Sequence, residues 1–197
     1  MKEQGMGKDI LEEKFKEFLN EIYYIVKPLD FRKEAFNFRT YGEDGLCKII
    51  NFQRNKWNKD DSLEFVINIG IYFREDKKLN SRKFKEYECA IRRRIENNGK
   101  WWRIDCETDV EALCKSMEKE LQWILKWFEP FESKDVVIRM ILNGTAEKYS
   151  DTTVFHYQTA KMLANMGYAK EVYHLIKDSR SSTFIELKNE IYDSYNA

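Results

Sequence analysis

One segment, residues 63–73, alternates apolar side chains with other side chains more regularly than any other part of the chain. The apolar positions are Leu63, Phe65, Ile67, Ile69, Ile71 and Phe73. Successive side chains of a β-strand point to opposite faces of a sheet, so a period of two over this length indicates a strand with one face in a core. The rest of the chain must therefore supply partner strands and a layer that covers the apolar face.

The residues before this strand predict one helix and two further strands. Apolar side chains between residues 8 and 27 recur at the spacing of a single helical stripe, and Pro28 ends the helix. Residues 36–41 and 46–57 are predicted strands joined by a turn at residues 42–45. Because the helix has one stripe to bury, we expect it to cover the apolar face of the sheet.

The residues after this strand predict the last hairpin of the sheet. Periodicity alone does not separate helix from strand over residues 88–95, but an Asn-Asn-Gly turn signal follows at residues 97–99. Residues 100–105 then form the second strand of the hairpin, and the charged residues 74–87 form a loop or a ragged helical turn. The predicted sheet has about five antiparallel strands.

The remainder of the chain is predicted to be helical. Thr108 and Glu111 form a capping box that opens a helix whose apolar stripe reaches Phe128, and Pro130 closes it. Shorter helices are predicted over residues 135–142, 153–166 and 169–177 and from Thr183, which opens a second capping box. Residues 160–173 resemble one helical hairpin of a tetratricopeptide-like repeat. One unit cannot form a solenoid, so we expect it to serve packing.

These segments together predict an α+β fold with two parts. Residues 1–130 form an antiparallel sheet of about five strands, backed by two long helices on one face. Residues 131–197 form an all-helical C-terminal extension that includes the tetratricopeptide-like hairpin and a terminal helix.

The charge composition limits the classes of partner. The chain has 34 basic and 34 acidic residues, whereas general coating of nucleic acid needs a basic excess. The N-terminus has an early acid and no apolar run, unlike a signal peptide, and no stretch approaches the roughly 18 apolar residues that span a bilayer. The four cysteines show no close pairing, so we expect reduced, mostly buried thiols in a cytoplasmic protein.

Several motifs follow one another in an order that resembles a known family. They are residues 50–53 followed by Trp57, the strand at 65–71, residues 88–95 and the tryptophan pair at 101 and 102. Over about residues 8–128 the chain resembles the uncharacterised domain of unknown function 4304. The resemblance implies the sheet fold and supplies no catalytic residues, because the family brings no established activity. Some relatives lie near bacterial toxin genes, which favours an immunity-type function in a bacterium.

The alternation of the strands predicts which side chains share the face opposite the helices. If the odd positions of residues 63–73 point to the core, that opposite face carries amides, arginines and aromatic rings. We call it the polar face, and its predicted members are Asn37, Arg39, Tyr41, Asn51, Gln53, Asn68, Tyr72, Arg92, Arg94, Trp101 and Arg103. The same alternation places Cys89, Ile91 and Ile95 toward the core, together with Arg93.

The polar face has a structural and a functional explanation. Antiparallel sheets often expose one polar face to water, and cross-strand polar pairs need no further purpose. Asparagine and glutamine are nevertheless poor strand formers, and neighbouring arginines repel one another unless an anion, or the acidic helical tail, compensates. A ligand or partner with carboxylates or phosphates satisfies both conditions. The predicted binding residues are Asn51, Gln53, Asn68, Arg92, Arg94, Trp101 and Arg103.

We therefore favour a non-enzymatic binding protein that engages an acidic protein surface or an anionic ligand, with toxin neutralisation as one form. The alternative is an enzyme, or a nucleotide- or nucleic-acid-binding protein, that uses the same face as the floor of a pocket. His156 and His174 are isolated, and no GxSxG, Walker or GxGxxG element occurs. No catalytic residue, metal site or cofactor is therefore predicted.

Overall fold

A computed structural model describes residues 2–74 and 83–196, and the described residues form an α+β fold around a six-stranded antiparallel sheet. The strands are β1 (Arg32–Glu34), β2 (Asn37–Tyr41), β3 (Leu46–Arg54), β4 (Ser62–Phe73), β5 (Ile91–Ile95) and β6 (Trp102–Asp105). The helices are α1 (Lys2–Val26), α2 (Val110–Ser116), α3 (Glu118–Phe128), α4 (Lys134–Leu142), α5 (Tyr157–Leu163), α6 (Ala169–Ile176) and α7 (Ser182–Asn196). The predicted fold class is confirmed.

The strand β4 is the centre of the sheet, as its alternation predicts. It pairs with β3 on one side and with both β5 and β6 on the other. Its odd positions from Leu63 to Phe73 are buried in the main core. The helix α1 covers this side of the sheet, and the ring of Phe18 lies 5.1 Å from the ring of Phe65. The helix-facing side therefore carries the apolar residues that one stripe of α1 buries.

The predicted hairpin between residues 88 and 105 is wrong, although its turn is confirmed. Asn98 and Gly99 form a two-residue turn with positive φ angles of 51° and 78°, and the turn is closed by two backbone hydrogen bonds between Asn97 and Lys100. The strands β5 and β6, however, both run antiparallel to β4. They are two segments of one interrupted strand on the same edge of β4. The turn lies in the loop that connects these two segments.

The predicted long helix after residue 108 is two helices. Asp109, rather than Thr108, caps α2 by accepting a hydrogen bond from the backbone N–H of Ala112, and α2 meets α3 at Met117. The hydroxyl of Thr108 instead accepts a hydrogen bond from the backbone N–H of Asp105. None of the described helices combines the length and the apolar character that crossing a membrane requires.

The helices of the C-terminal region share the core of the sheet. Apolar residues of α4 to α7, including Ile138, Leu163, Val172 and Leu187, belong to the same buried cluster as the residues of β4 and α1. The helix α5 begins at Tyr157 rather than at residue 153, and α7 begins at Ser182, so the predicted capping box at Thr183 is wrong. The division into residues 1–130 and 131–197 stays a prediction.

Candidate functional site

Four of the seven predicted binding residues come together on the polar face. The strand register aligns Asn37 with Asn51, Asn51 with Asn68, and Asn68 with Arg94. Gln53 lies two residues along β3 from Asn51 and within hydrogen-bonding distance of both Asn68 and Arg94. We call these five residues the amide network, which crosses four strands of the sheet.

The amide network is a continuous set of hydrogen bonds that ends at Arg94. The guanidinium of Arg94 donates to Asn68 Oδ1 and to Gln53 Oε1, each at 3.2 Å. Asn68 Nδ2 donates to Asn51 Oδ1 at 3.1 Å and to Gln53 Oε1 at 2.9 Å, and Asn51 Nδ2 donates to Asn37 Oδ1 at 2.9 Å. Asn51 and Asn68 are only 9% and 7% exposed. Buried amides need partners, so these two residues hold the sheet surface together and orient Arg94.

Arg92 lies on the same face but outside the amide network. It pairs with Gly70, one step along β4 from Asn68 on this face. Its Nε donates to Thr152 Oγ1 at 3.2 Å and its Nη1 donates to the carbonyl of Tyr87 at 3.4 Å. The chain itself therefore holds this guanidinium, away from Asn51 and Asn68.

Trp101 and Arg103 extend the polar face on the other side of the amide network. Arg103 pairs with Glu64 across the sheet, and its side chain is 55% exposed, with the Asp105 carboxylate 3.7 Å away. Trp102 pairs with Phe65, so continuing the register by one residue places Trp101 beside Val66, on the polar face. Together with Arg94, these side chains form a surface with two exposed guanidinium groups and one indole ring.

Residues 83–90, which we call the covering segment, lie over the opposite end of the polar face. The ring of Phe84 stacks on the ring of Tyr72, with centroids 4.4 Å apart and planes 6° apart. Arg39, only 3% exposed, donates from Nε to the carbonyl of Phe84 at 2.9 Å and from Nη1 to Glu34 Oε2 at 2.7 Å. This end of the polar face is therefore a second, small core and is not open to a partner.

The placement of Cys89 toward the main core is wrong, because Cys89 precedes β5 and belongs to the covering segment. It packs on the polar face with Cys47, Ile49 and Phe84. Gly70 makes this approach possible, since a Cβ at that position would lie 2.6 Å from the sulfur of Cys89.

The C-terminal region covers the outer edge of β5 and neutralises part of the arginine cluster. Asp151 accepts from the backbone N–H of Arg94 at 2.8 Å, and its own N–H donates to the carbonyl of Arg92 at 3.0 Å. The Asp151 carboxylate also pairs with the guanidinium of Arg93 at 3.1 Å. Arg93 can therefore lie on the helix-facing side, because β5 is an edge strand and the Arg93 guanidinium pairs with the Asp151 carboxylate there.

Neither buried cysteine is an activated nucleophile, and the described residues offer no metal site. Burial raises the pKa of Cys47 and, more strongly, that of Cys89, so both thiols stay protonated at neutral pH and react slowly. Cys114 is partly buried and Cys106 is exposed. His156 caps α5 by accepting from the backbone N–H of Thr159. No group of three or more His, Cys, Asp or Glu side chains in the described ranges could hold a metal ion.

Sequence reasoning missed three residues that shape this site. Asn37 is a predicted member of the polar face but not one of the predicted binding residues. The alternation of β2 is the signal that could have identified it. The contacts of Asp151 and Phe84 span 57 and 45 residues, to Arg94 and Arg39 respectively. No local pattern predicts contacts at such separations, because they depend on how distant segments pack.

The comparisons with known proteins identify one family. No curated protein and no solved structure matches the chain. A family model described as "Domain of unknown function (DUF4304)" matches residues 25–130. The match extends from the end of α1 to just beyond α3, so it contains all six described strands and the amide network. The chain therefore belongs to the DUF4304 family, as the order of its motifs predicts.

Proposed function

We propose that the protein is a non-enzymatic binding protein whose polar face engages an acidic protein surface or another anionic ligand. The contact surface consists of the exposed part of that face, with Arg94 and Arg103 as the cationic groups and Trp101 as the apolar one. Asn51, Gln53 and Asn68 act by holding Arg94 in position. Arg92 stabilises the fold, since its guanidinium is held by Thr152 and Tyr87.

One observation carries this proposal, and it concerns the guanidinium of Arg94. The group is solvent-exposed, yet the carbonyl oxygens of Asn68 and Gln53 fix its orientation. Within the part of the chain that the structure describes, it forms no ion pair. An arginine that is held in one orientation loses little conformational entropy when it meets a carboxylate or a phosphate. Such a residue suits the recognition of an anion.

The surroundings of Arg94 favour a protein surface over a small ligand. Trp and Arg are the residue types most enriched among side chains that contribute strongly to protein–protein binding. Toxin neutralisation is the concrete form that we favour, with carboxylates of the toxin placed against Arg94 and Arg103. We further propose a cytoplasmic location, which the free thiols of Cys47, Cys89, Cys106 and Cys114 support.

The test measures binding of three labelled anionic probes at low ionic strength by fluorescence anisotropy. The probes are a hexaglutamate peptide, pyrophosphate and a short oligothymidylate. We expect the peptide to bind and the double variant Arg94→Glu/Arg103→Glu to abolish binding. The variant should stay folded, with a free energy of unfolding lower by about 1–3 kcal/mol, because loss of the Arg94 guanidinium leaves Oδ1 of the buried Asn68 without its donor.

The control is Lys119→Glu, which reverses an exposed charge on α3, on the other side of the sheet. It should leave peptide binding unchanged. Equal loss of binding in the control would show a non-specific charge effect and contradict the proposed site. Preferential binding of oligothymidylate, falling steeply with salt, would instead support a single-stranded nucleic-acid function on the same face.

A further inference from the structure

Lys48 is a charged residue on the helix-facing side of β3, where apolar residues are expected. Its neighbours on that side of the strand, Leu46, Ile50 and Phe52, are all buried in the main core. Lys48 itself is partly buried and pairs with Thr40 on β2 and Ile71 on β4. Placing an ammonium group there costs free energy unless a partner compensates. A position that breaks the pattern of its strand at such a cost is a candidate for function.

Two other cations on the same side of the sheet have carboxylate partners, and Lys33 of β1 donates to the side-chain oxygen of Asn20 at 2.6 Å. Arg54 donates to Glu12 Oε2 at 2.9 Å, and Arg93 pairs with Asp151. Lys48 donates to the carbonyl of Phe128 at 3.2 Å and lies 5.7 Å from the centre of its ring. Among the residues that the structure describes, it forms no ion pair. One carbonyl accepts only one of the three hydrogen bonds that an ammonium group can donate.

A candidate partner within the chain is already engaged elsewhere. Asp44 is close enough to influence the titration of Lys48. Its Oδ1, however, accepts from the backbone N–H of Leu46 at 2.9 Å, and its Oδ2 accepts from the backbone N–H of Lys134 at 2.6 Å. Burial lowers the pKa of Lys48, as expected of an ammonium group whose desolvation no carboxylate contact offsets.

Lys48 lines an open cleft of about 1090 Å³ at one end of the sheet. Small-molecule sites commonly have volumes of roughly 300–1,000 Å³, so the cleft is large enough for a metabolite. Its walls include the aromatic rings of Tyr23, Phe31 and Phe128. Exposed charged residues line the cleft as well. The acidic residues Asp30, Glu43, Glu129 and Glu132 outnumber the basic residues Lys27 and Arg32.

We propose that this cleft binds a small molecule that carries both a carboxylate and an ammonium group, such as an apolar amino acid. The carboxylate accepts hydrogen bonds from Lys48, and the apolar part packs against the aromatic walls. The ammonium group faces the acidic side chains at the mouth. This site is on the helix-facing side of the sheet and is independent of the function proposed for the polar face.

Three probes that share one phenyl ring separate the contributions of the two charges. Phenylalanine carries both groups, 3-phenylpropionate lacks the ammonium group and phenethylamine lacks the carboxylate. The full chain is uniformly labelled with ¹³C, which leaves its lysine ammonium groups unmodified, and each probe is titrated by NMR. We expect phenylalanine to bind most tightly and to shift the Lys48 Cε signal saturably, with 3-phenylpropionate second and phenethylamine weakest.

Two lysine variants locate the carboxylate contact. Lys48→Met should weaken phenylalanine binding about tenfold or more, because a charge-assisted hydrogen bond is lost. Lys27→Met removes an exposed cation of the same cleft and should change affinity much less. Equal effects of the two variants, or no saturable shift of the wild-type Lys48 signal with either carboxylate, would overturn the proposal. Tightest binding of phenethylamine would overturn it too, and so would equally tight binding of phenylalanine and 3-phenylpropionate, because the proposed ligand carries both charges.

Discussion

At the residue scale, Asn68 shows how one side chain can stabilise a sheet and also orient a neighbouring guanidinium group. Its amide group bonds to three side chains of the network, those of Asn51, Gln53 and Arg94. An asparagine in a central strand is unfavourable by propensity. Here this cost is offset because the buried amide of Asn68 has hydrogen-bond partners on both neighbouring strands, β3 and β5. The same contacts fix the guanidinium that we propose as the anion-binding group.

The amide network predicts different costs for its central and terminal residues. Asn68→Ala should lower the free energy of unfolding by about 1–3 kcal/mol, because it leaves Oδ1 of the buried Asn51 without its donor and removes one of the two donors to Gln53 Oε1. Asn37→Ala, at the end of the network, removes one acceptor and should cost less. Urea unfolding of both variants gives the comparison. A smaller loss for Asn68→Ala than for Asn37→Ala would contradict the described hydrogen bonds.

Only part of the site could be predicted from the sequence, because alternation is local whereas some contacts join residues that are far apart in the chain. Alternation is a local property of a strand, so the common face of Asn51, Asn68 and Arg94 could be predicted. The contacts that hold the Arg92 guanidinium outside the amide network come from Tyr87 and Thr152. Thr152 lies 60 residues away in the chain, and alternation carries no information about such a partner.

At the scale of elements, the covering segment divides the polar face into a covered end and an end that it leaves uncovered. Phe84 and Cys89 pack over one end of the polar face, while the end with Trp101 and Arg103 is uncovered by this segment. Gly70, in the middle of β4, gives the backbone room for this packing. A glycine inside an otherwise regular strand indicates such a close approach. The identity of the approaching segment does not follow from the strand itself.

A methyl group at position 70 tests this packing. Gly70→Ala should destabilise the fold by about 1–3 kcal/mol, because the new Cβ overlaps Cys89. Cys89→Gly removes the overlapping atoms, so the double variant should lose less stability than the sum of the two single variants. Thermal unfolding of the four proteins measures this coupling. Strictly additive losses would mean that the two residues do not touch.

At the scale of the whole molecule, one core joins the sheet to the C-terminal helices. Trp127 of α3 donates from Nε1 to the carbonyl of Tyr149, and the ring of Phe131 lies 5.2 Å from that of Tyr149. The sequence predicted the sheet and the helical extension as successive segments, because each has its own periodicity. The sequence did not predict that the sheet and the extension bury one another. Helix periodicity shows which stripe of a helix is buried, but not the segment against which that stripe packs.

Truncation after residue 131 tests how far the sheet region depends on the extension. Removing residues 132–197 should expose Trp127 and Phe131 and cost several kcal/mol, at about 1.5–3 kcal/mol for each large apolar side chain uncovered. We expect the shortened chain to melt at a lower temperature, as followed by circular dichroism. A melting temperature equal to that of the full chain would instead establish residues 1–131 as an independent domain.

The pairing of residues 150 and 151 with β5 restricts how another protein can approach this sheet. Many complexes form when a partner adds its own strand to a free sheet edge and bonds to the main chain there. In β5, the outward N–H and C=O of Arg92 and the outward N–H of Arg94 already have partners within the chain. Strand addition is therefore blocked at this edge, so the partner that we propose would have to contact side chains there rather than the main chain.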